Sequence, residues 1–253
     1  MVDIHSHILP GLDDGSPSLE DSVEMLRIAA AGGTTDIVAT PHANSQFTFD
    51  PLRVRQKLAE LRSAVSDVRI HSGCDFHLAY ENIEDALANP TKYTINHRNY
   101  LLVEFSDLII FHTTADLFRQ FHAAGMIPIV THPERNLLLQ KRLESLTEWV
   151  SEGARLQVTA QSLLGRFGRR ARAFSEKLLK LGLVHFIASD AHDVLDRTPD
   201  LSSAFAYVAD RYGHAKAQQL YVINPSAVLL GEVLPQNGIV ALPKPRKWYQ
   251  FWG

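Results

Sequence analysis

The sequence holds one cysteine, Cys74, in 253 residues. No internal disulfide can form from it, and a single thiol suits a reducing cytoplasm. Long apolar runs are missing as well. No stretch approaches the roughly 20 apolar residues that a membrane-spanning helix needs, so no membrane insertion is expected. The opening MVDIHSHILP lacks a charged segment followed by an apolar one and does not read as a signal peptide. An excess of either charge is missing too. The net charge is −3, and no run of Lys and Arg forms a nucleic-acid stripe, so nucleic acid is not the expected partner. The mildly basic group Arg166, Arg169, Arg170 and Arg172 reads as a solvated helix face or a local rim. Internal repeats and low-complexity tracts are absent.

What remains is ordinary globular composition, 45% hydrophobic and 21% charged, enough for a sizeable core. Short apolar runs at 2–7, 36–41, 69–75, 100–105, 127–132, 154–160 and 184–189 read as parallel strands covered on both faces. Helical patterns lie between them. Ser18 precedes Leu19, Val23, Leu26 and Ala30 at helical spacing, Asp21 completes a capping box, and Gly32-Gly33 ends the helix. Asp50-Pro51 opens the next, with Leu58, Leu61 and Val65 as its buried stripe. Further helices fit 114–124, 143–152, 171–181 and 199–212, and Asn224-Pro225 starts a short one. This alternation predicts an α/β fold, a closed or nearly closed parallel barrel over residues 1–233. Residues 234–253, with three prolines and the aromatics Trp248, Tyr249, Phe251 and Trp252, read as a tail that extends freely or docks on a neighbour.

The strand ends carry the chemistry. The first run ends in His5-Ser6-His7 and is followed by Asp13-Asp14. The second ends at Pro41-His42, the third at Asp75, the fourth at Glu104, the fifth at His132 and the seventh at Asp190-Ala191-His192. The sixth, ending Gln157-Val158-Thr159, offers no obvious ligand. Barrel active sites are built at this rim, so six strands aim metal-type side chains at one place. His5 and His7 are two apart on a strand and project to the same face, as do Asp190 and His192. A lone pair of this kind is weak; the joint pattern is specific. Five histidines and four carboxylates exceed the needs of one ion and imply two or three. Mixed imidazole and carboxylate donors suit manganese, iron or zinc better than magnesium or calcium. Arg135 and Arg197, close to strand-end ligands, suit phosphate oxygens. The other histidines read as surface or hydrogen-bonded core residues, His77 being the likeliest exception.

With these residues in hand, the sequence resembles the polymerase and histidinol phosphatase (PHP) superfamily. More closely it resembles the manganese-dependent tyrosine-protein phosphatases of bacterial capsule and exopolysaccharide loci. The matching stretches are DIHSHILPGLDDG at 3–15, IVATPH at 37–42, LLVEFS at 101–106, PIVTHPER at 128–135, QVTAQSLLGRFG at 157–168 and ASDAH at 188–192. The resemblance implies a distorted (β/α)7 TIM-like barrel with three metal ions. It places His5 and His7 on one ion with Asp190 and a bridging Asp75, Glu104 and His132 on a second with Asp75, and Asp14, His42 and His192 on a third. Asp13 is an alternative to Asp14. A metal-bound hydroxide would be the nucleophile, with Arg135 and Arg197 binding the phosphate. One departure stands out: the third motif normally carries Glu, and here it reads Gly73-Cys74-Asp75. The implied substrate is a phosphotyrosine protein, an autophosphorylated bacterial tyrosine kinase controlling polysaccharide export. A homo-oligomer is compatible with the sequence. Rival readings are a histidinol-phosphate type enzyme of the same superfamily and a non-catalytic metal-binding module. A cysteine-based mechanism needs Cys and Arg six apart, and six after Cys74 stands Tyr80.

Overall fold

Seven runs of parallel backbone cross the molecule, and the breaks within two of them follow from proline and glycine. The structure, a computed structural model, describes residues 1–235. Its strands are β1 (Val2–Ser6), β2 (Asp36–Ala39), β3 (His42–Ala43), β4 (Arg69–Ser72), β5 (Asp75–His77), β6 (Tyr100–Glu104), β7 (Ile127–Thr131), β8 (Arg155–Thr159) and β9 (Phe186–Ala188). They form two parallel sheets, ordered β1-β2-β4 and β3-β5-β6-β7-β8-β9. The single strands expected over 36–41 and 69–75 are therefore each two short ones. Pro41 has no N–H to donate and removes a rung at the first break. At the second, Gly73 lets the backbone pass close to its neighbour: a Cβ there would stand 2.9 Å from Cγ1 of Val38. Pairing still continues across both breaks, through Gly73 N–H to the Ala39 carbonyl at 2.9 Å and Asp75 N–H to the Pro41 carbonyl at 3.2 Å.

Helices connect the strands. They are α1 (Leu19–Ala31), α2 (Pro51–Ala64), α3 (Tyr80–Ala88), α4 (Thr114–Ala123), α5 (Leu143–Ser151), α6 (Ala160–Leu163), α7 (Gly168–Lys180), α8 (Ser202–Tyr212), α9 (His214–Gln218) and α10 (Asn224–Leu230). The caps read from the sequence operate as expected. Ser18 accepts the Asp21 N–H at 3.1 Å and donates its own hydroxyl to the Asp21 carboxylate at 2.7 Å. Asp50 accepts from the N–H groups of Leu52 and Arg53. Helix α3 was not expected; Ala79 gives it no side-chain cap, unlike Ser18 and Asp50 at the first two helices. The proline- and aromatic-rich tail expected over 234–253 lies, from residue 236 on, outside the described residues. Just before them, Leu234 is buried, and its N–H donates to the Tyr100 hydroxyl at 3.3 Å. Among the described residues no helix is long and apolar enough to cross a membrane.

Alternation along the strands divides core from site. Val38, Leu102, Ile129, Phe186 and Ala188, from four different strands, pack in one buried cluster with Tyr100. Two residues on from Leu102 comes Glu104, and two on from Ala188 comes Asp190, so the same face turns from apolar to ligating at the strand ends. Removing part of this floor should destabilise the chain without changing its pattern. Leu102 is fully buried, and Leu102→Ala is expected to lower unfolding stability by about 2–5 kcal/mol. In urea the midpoint falls while the slope stays constant; an unchanged midpoint contradicts the packing.

Candidate metal centre

The end of the first strand meets the segment that follows the last strand. The Asp190 N–H donates to the His5 carbonyl at 2.9 Å, and the His7 N–H donates to the Ala191 carbonyl at 2.8 Å. Beneath them Asp3, fully buried, accepts from both the N–H and the hydroxyl of Ser189, at 3.0 and 2.5 Å. This ties β1 to the segment that carries Asp190. Gly15 is required by the same crowding, since a Cβ on it would lie 2.2 Å from the His7 carbonyl oxygen. His132 and Asp190 adopt left-handed backbone, with φ of 32° and 52°. Non-glycine residues take that conformation at a cost of about 1 kcal/mol or more, and such strain concentrates at functional sites.

The side chains converge. Three groups each bring ligand atoms within 4.8 Å of one another: His7, Asp14, His42 and His192; His5, His7 and Asp75; and His42, Asp75 and Glu104. Any of them could hold a divalent ion. They overlap, because His42 faces Asp14 with Nε2 at 3.3 Å and Asp75 with Nδ1 at 3.3 Å. His132 and Asp190 stand beside these groups. His132 Nε2 is 3.6 Å from Glu104, and Asp190 Oδ1 is 3.5 Å from Nε2 of both His5 and His7. The other oxygen of Asp190 is engaged by the guanidiniums of Arg135 and Arg197, the latter at 2.6 Å. Both predicted arginines thus reach the cluster.

Electrostatics set the fit. Both carboxylate oxygens of Asp75 are buried without a hydrogen bond of normal geometry. Burial would raise this carboxyl, yet the nearby His5 and His42 outweigh it and hold Asp75 well below the usual range. Burial, then the charge of Asp75, pushes Glu104 up to about 8. Burial would lower His7 and His42, but Asp13 chiefly raises the first to about 9, and Asp14 and Asp75 raise the second to about 11. His132 and His192 go the other way, to about 3, through burial first and then the charges of Arg135 and His7 respectively. A buried carboxylate needs positive charge, and here protons on His5 and His42 supply it to Asp75, as the proton on His7 does to Asp13. Each of these histidines gives up its proton to ligate, so ion uptake would release protons and strengthen with rising pH. Unpaired oxygens among imidazoles match the donor set of a manganese-, iron- or zinc-type ion.

Several supporting residues were not legible beforehand. Gln157, on the strand that offered no ligand, has its Oε1 3.0 Å from Nδ1 of His5. Accepting from that nitrogen fixes the tautomer and leaves Nε2 free to ligate. Asp13 does the same for His7, 2.7 Å from Nδ1, and also accepts the His42 N–H at 3.1 Å. That places Asp13 behind the imidazole while Asp14 faces His42 and His192. Asp193 accepts the N–H groups of Leu195, Asp196 and Arg197 and turns Arg197 back onto Asp190. His77 joins none of the three groups. His71 pairs with Asp36 at 2.9 Å, and His185 accepts the Leu156 N–H at 3.2 Å, both structural roles.

Parallel α/β architecture with a shared cluster of metal-type ligands at the strand ends is the class that this geometry defines. Within it the chain belongs to the CpsB/CapC family, described by capsular polysaccharide synthesis, whose sequence pattern matches residues 1–230. The chain is 37% identical over 257 residues to the putative tyrosine-protein phosphatase CapC of Staphylococcus aureus, covering 98% of this chain and 99% of that one. It is 34% identical over 235 residues to the tyrosine-protein phosphatase YwqE of Bacillus subtilis, covering 91% of each. A solved structure from work on YwqE of Bacillus subtilis and CpsB of Streptococcus pneumoniae, described as unique metal-dependent tyrosine phosphatases, superposes with a TM-score of 0.90. It is 31% identical, over 96% of this chain and 100% of that one. A lactonase from Listeria monocytogenes, 13% identical with a TM-score of 0.56 over 92% of this chain and 95% of that one, shares the fold alone. The resemblance to capsule-locus tyrosine phosphatases read from the sequence is borne out.

The supporting layer yields a direct test. Gln157→Leu removes the acceptor behind His5 while keeping the volume similar, and is expected to weaken manganese binding about 10–100-fold in a chelator competition. Binding equal to the parent protein would show that Gln157 does not set the His5 tautomer.

Proposed function

We propose that this chain is a metal-dependent phosphoesterase that hydrolyses phosphotyrosine on a protein, an autophosphorylated bacterial tyrosine kinase controlling capsule or exopolysaccharide synthesis. The observation that carries the reading is Asp75, a buried carboxylate whose two oxygens make no hydrogen bond, set inside overlapping ligand groups. In this reading His5, His7, Asp75 and Asp190 hold one ion, Asp75, Glu104 and His132 a second, and Asp14, His42 and His192 a third. Bound there, the ions, manganese above all with iron or zinc as alternatives, would supply a nucleophile from water at neutral pH and draw charge from the phosphoryl group. We read the two sheets as one distorted (β/α)7 barrel of residues 1–233, supported by the parallel bridge between Ser6, on the first strand, and Ala191, just past the last. A cytoplasmic site of action suits the single thiol.

The chain's own side chains do the binding and positioning. Arg135 and Arg197 share one carboxylate oxygen of Asp190, so their guanidiniums stand side by side. Phosphate oxygens match that fork bidentately, and the pair would offset the charge that develops on the transferred group. Phe167 lies under the Arg135 guanidinium, 4.3 Å from its carbon, and fixes its plane. Gln157 and Asp13 hold His5 and His7 in the ligating tautomer. Cys74 takes no part as nucleophile. It is buried, and burial together with Asp75 and Asp13 keeps its thiol well above the ordinary value, so the thiolate is scarce.

The experiment compares kcat/KM for a phosphotyrosine peptide and histidinol phosphate with added manganese. The peptide is expected to be strongly preferred, chelator to abolish turnover, and Cys74→Ser to retain it. His5→Ala is expected to lower kcat at least about a hundredfold. Preference for histidinol phosphate would point to the small-molecule enzyme, and a metallated but inert protein to a binding module.

A further inference from the structure

Outside the ligand cluster lies a pocket whose wall is shared with it. Its volume is about 380 Å³, and Arg135, Leu137, Gln140, Phe167, Arg169 and Arg170 line it. Arg135 belongs to both places: one face of its guanidinium rests on Phe167 while its edge engages Asp190. The other arginines of the basic run are occupied. Arg172 pairs with Glu176 at 3.3 Å, and Arg166 donates to the Asp196 carbonyl at 3.5 Å. Arg169 and Arg170 are exposed, and neither has an ion-pair or hydrogen-bond partner among the described residues. Among the described residues no acidic side chain lines the pocket, and Leu137, 55% exposed, and Phe167 give it an apolar floor.

We infer that this pocket is a specificity subsite that takes an acidic side chain flanking the phosphotyrosine of the substrate. The inference rests on the phosphatase reading above and names the substrate class that this site prefers. Reach agrees with it. The Phe167 ring lies about one guanidinium thickness from the arginine that would hold the phosphate, and an extended peptide advances about 3.3 Å per residue. Residues within about three positions of the phosphotyrosine therefore pass over the pocket. There, two unpaired guanidiniums select carboxylates and oppose lysine or arginine, while Leu137 and Phe167 cover the methylenes of the incoming side chain. Being exposed, the two arginines contribute through attraction that salt screens.

The test uses the full chain with manganese and three phosphotyrosine peptides with acidic, neutral or basic flanks, beside a small aryl phosphate. In Arg169→Glu/Arg170→Glu, kcat/KM for the acidic peptide is expected to fall about tenfold, mainly through KM. The basic peptide improves, and the aryl phosphate and metal content stay unchanged. An equal change for all three peptides, or none, overturns the subsite. Affinity for the same peptides carrying a non-hydrolysable phosphonate, read by fluorescence anisotropy, separates this from the parent reading. A chain that hydrolyses nothing overturns the phosphatase reading; the anisotropy ranking then decides the pocket alone, loss of the acidic preference in the variant supporting it and an unaltered ranking overturning it.

Discussion

Asp75 has no solvent and no hydrogen bond on either carboxylate oxygen, yet the surroundings hold it ionised. An isolated buried carboxylate would cost several kcal/mol and take up a proton instead. What prevents that is cationic charge, present here as protons on the imidazoles that face it. The remainder of the site follows from this demand. His5 and His42 close on Asp75 from β1 and β3, Glu104 stands beside it and is pushed toward its neutral form, and Arg135 and Arg197 neutralise Asp190. Divalent ions meet the same demand with more charge in less space, which is why the donor set reads as a metal centre.

Holding like charges together takes a scaffold that does not yield. Short parallel strands end at one level, and a buried layer of Val38, Leu102, Ile129 and Phe186 fills the space beneath. Asp3 locks Ser189 to β1 and thereby fixes Asp190 in its left-handed turn. Gln157 and Asp13 stand behind two of the imidazoles. These contacts lie one residue layer away from the ligand atoms, and they convert a crowd of titratable groups into a defined geometry.

Much of this was legible in the sequence because strand parity and strand ends are local signals. His5-Ser6-His7 and Asp190-Ala191-His192 announce themselves by spacing, and Ser18 and Asp50 announce their helices by cap chemistry. The expected strand over 69–75 was found to divide at Gly73, since close approach to Val38 depends on a neighbour far along the chain. Gln157 was passed over for a related reason. An amide is not a typical ligand for such ions, and its value lies in meeting His5 across 152 positions, which no window of sequence reveals. Asp193 carries no local signal of its own; its three backbone partners are what place Arg197. The roles of Asp13 and Asp14, left open by adjacency, separate because one carboxylate faces the back of His7 and the other faces His42 and His192.

The most direct measurement is anomalous diffraction at the manganese edge from crystals grown with that metal. The account predicts at least two peaks around Asp75, close enough for its carboxylate to bridge them, with His5 and Glu104 on different ions. A single ion that leaves Asp75 without contact, or peaks away from the strand ends, would contradict it.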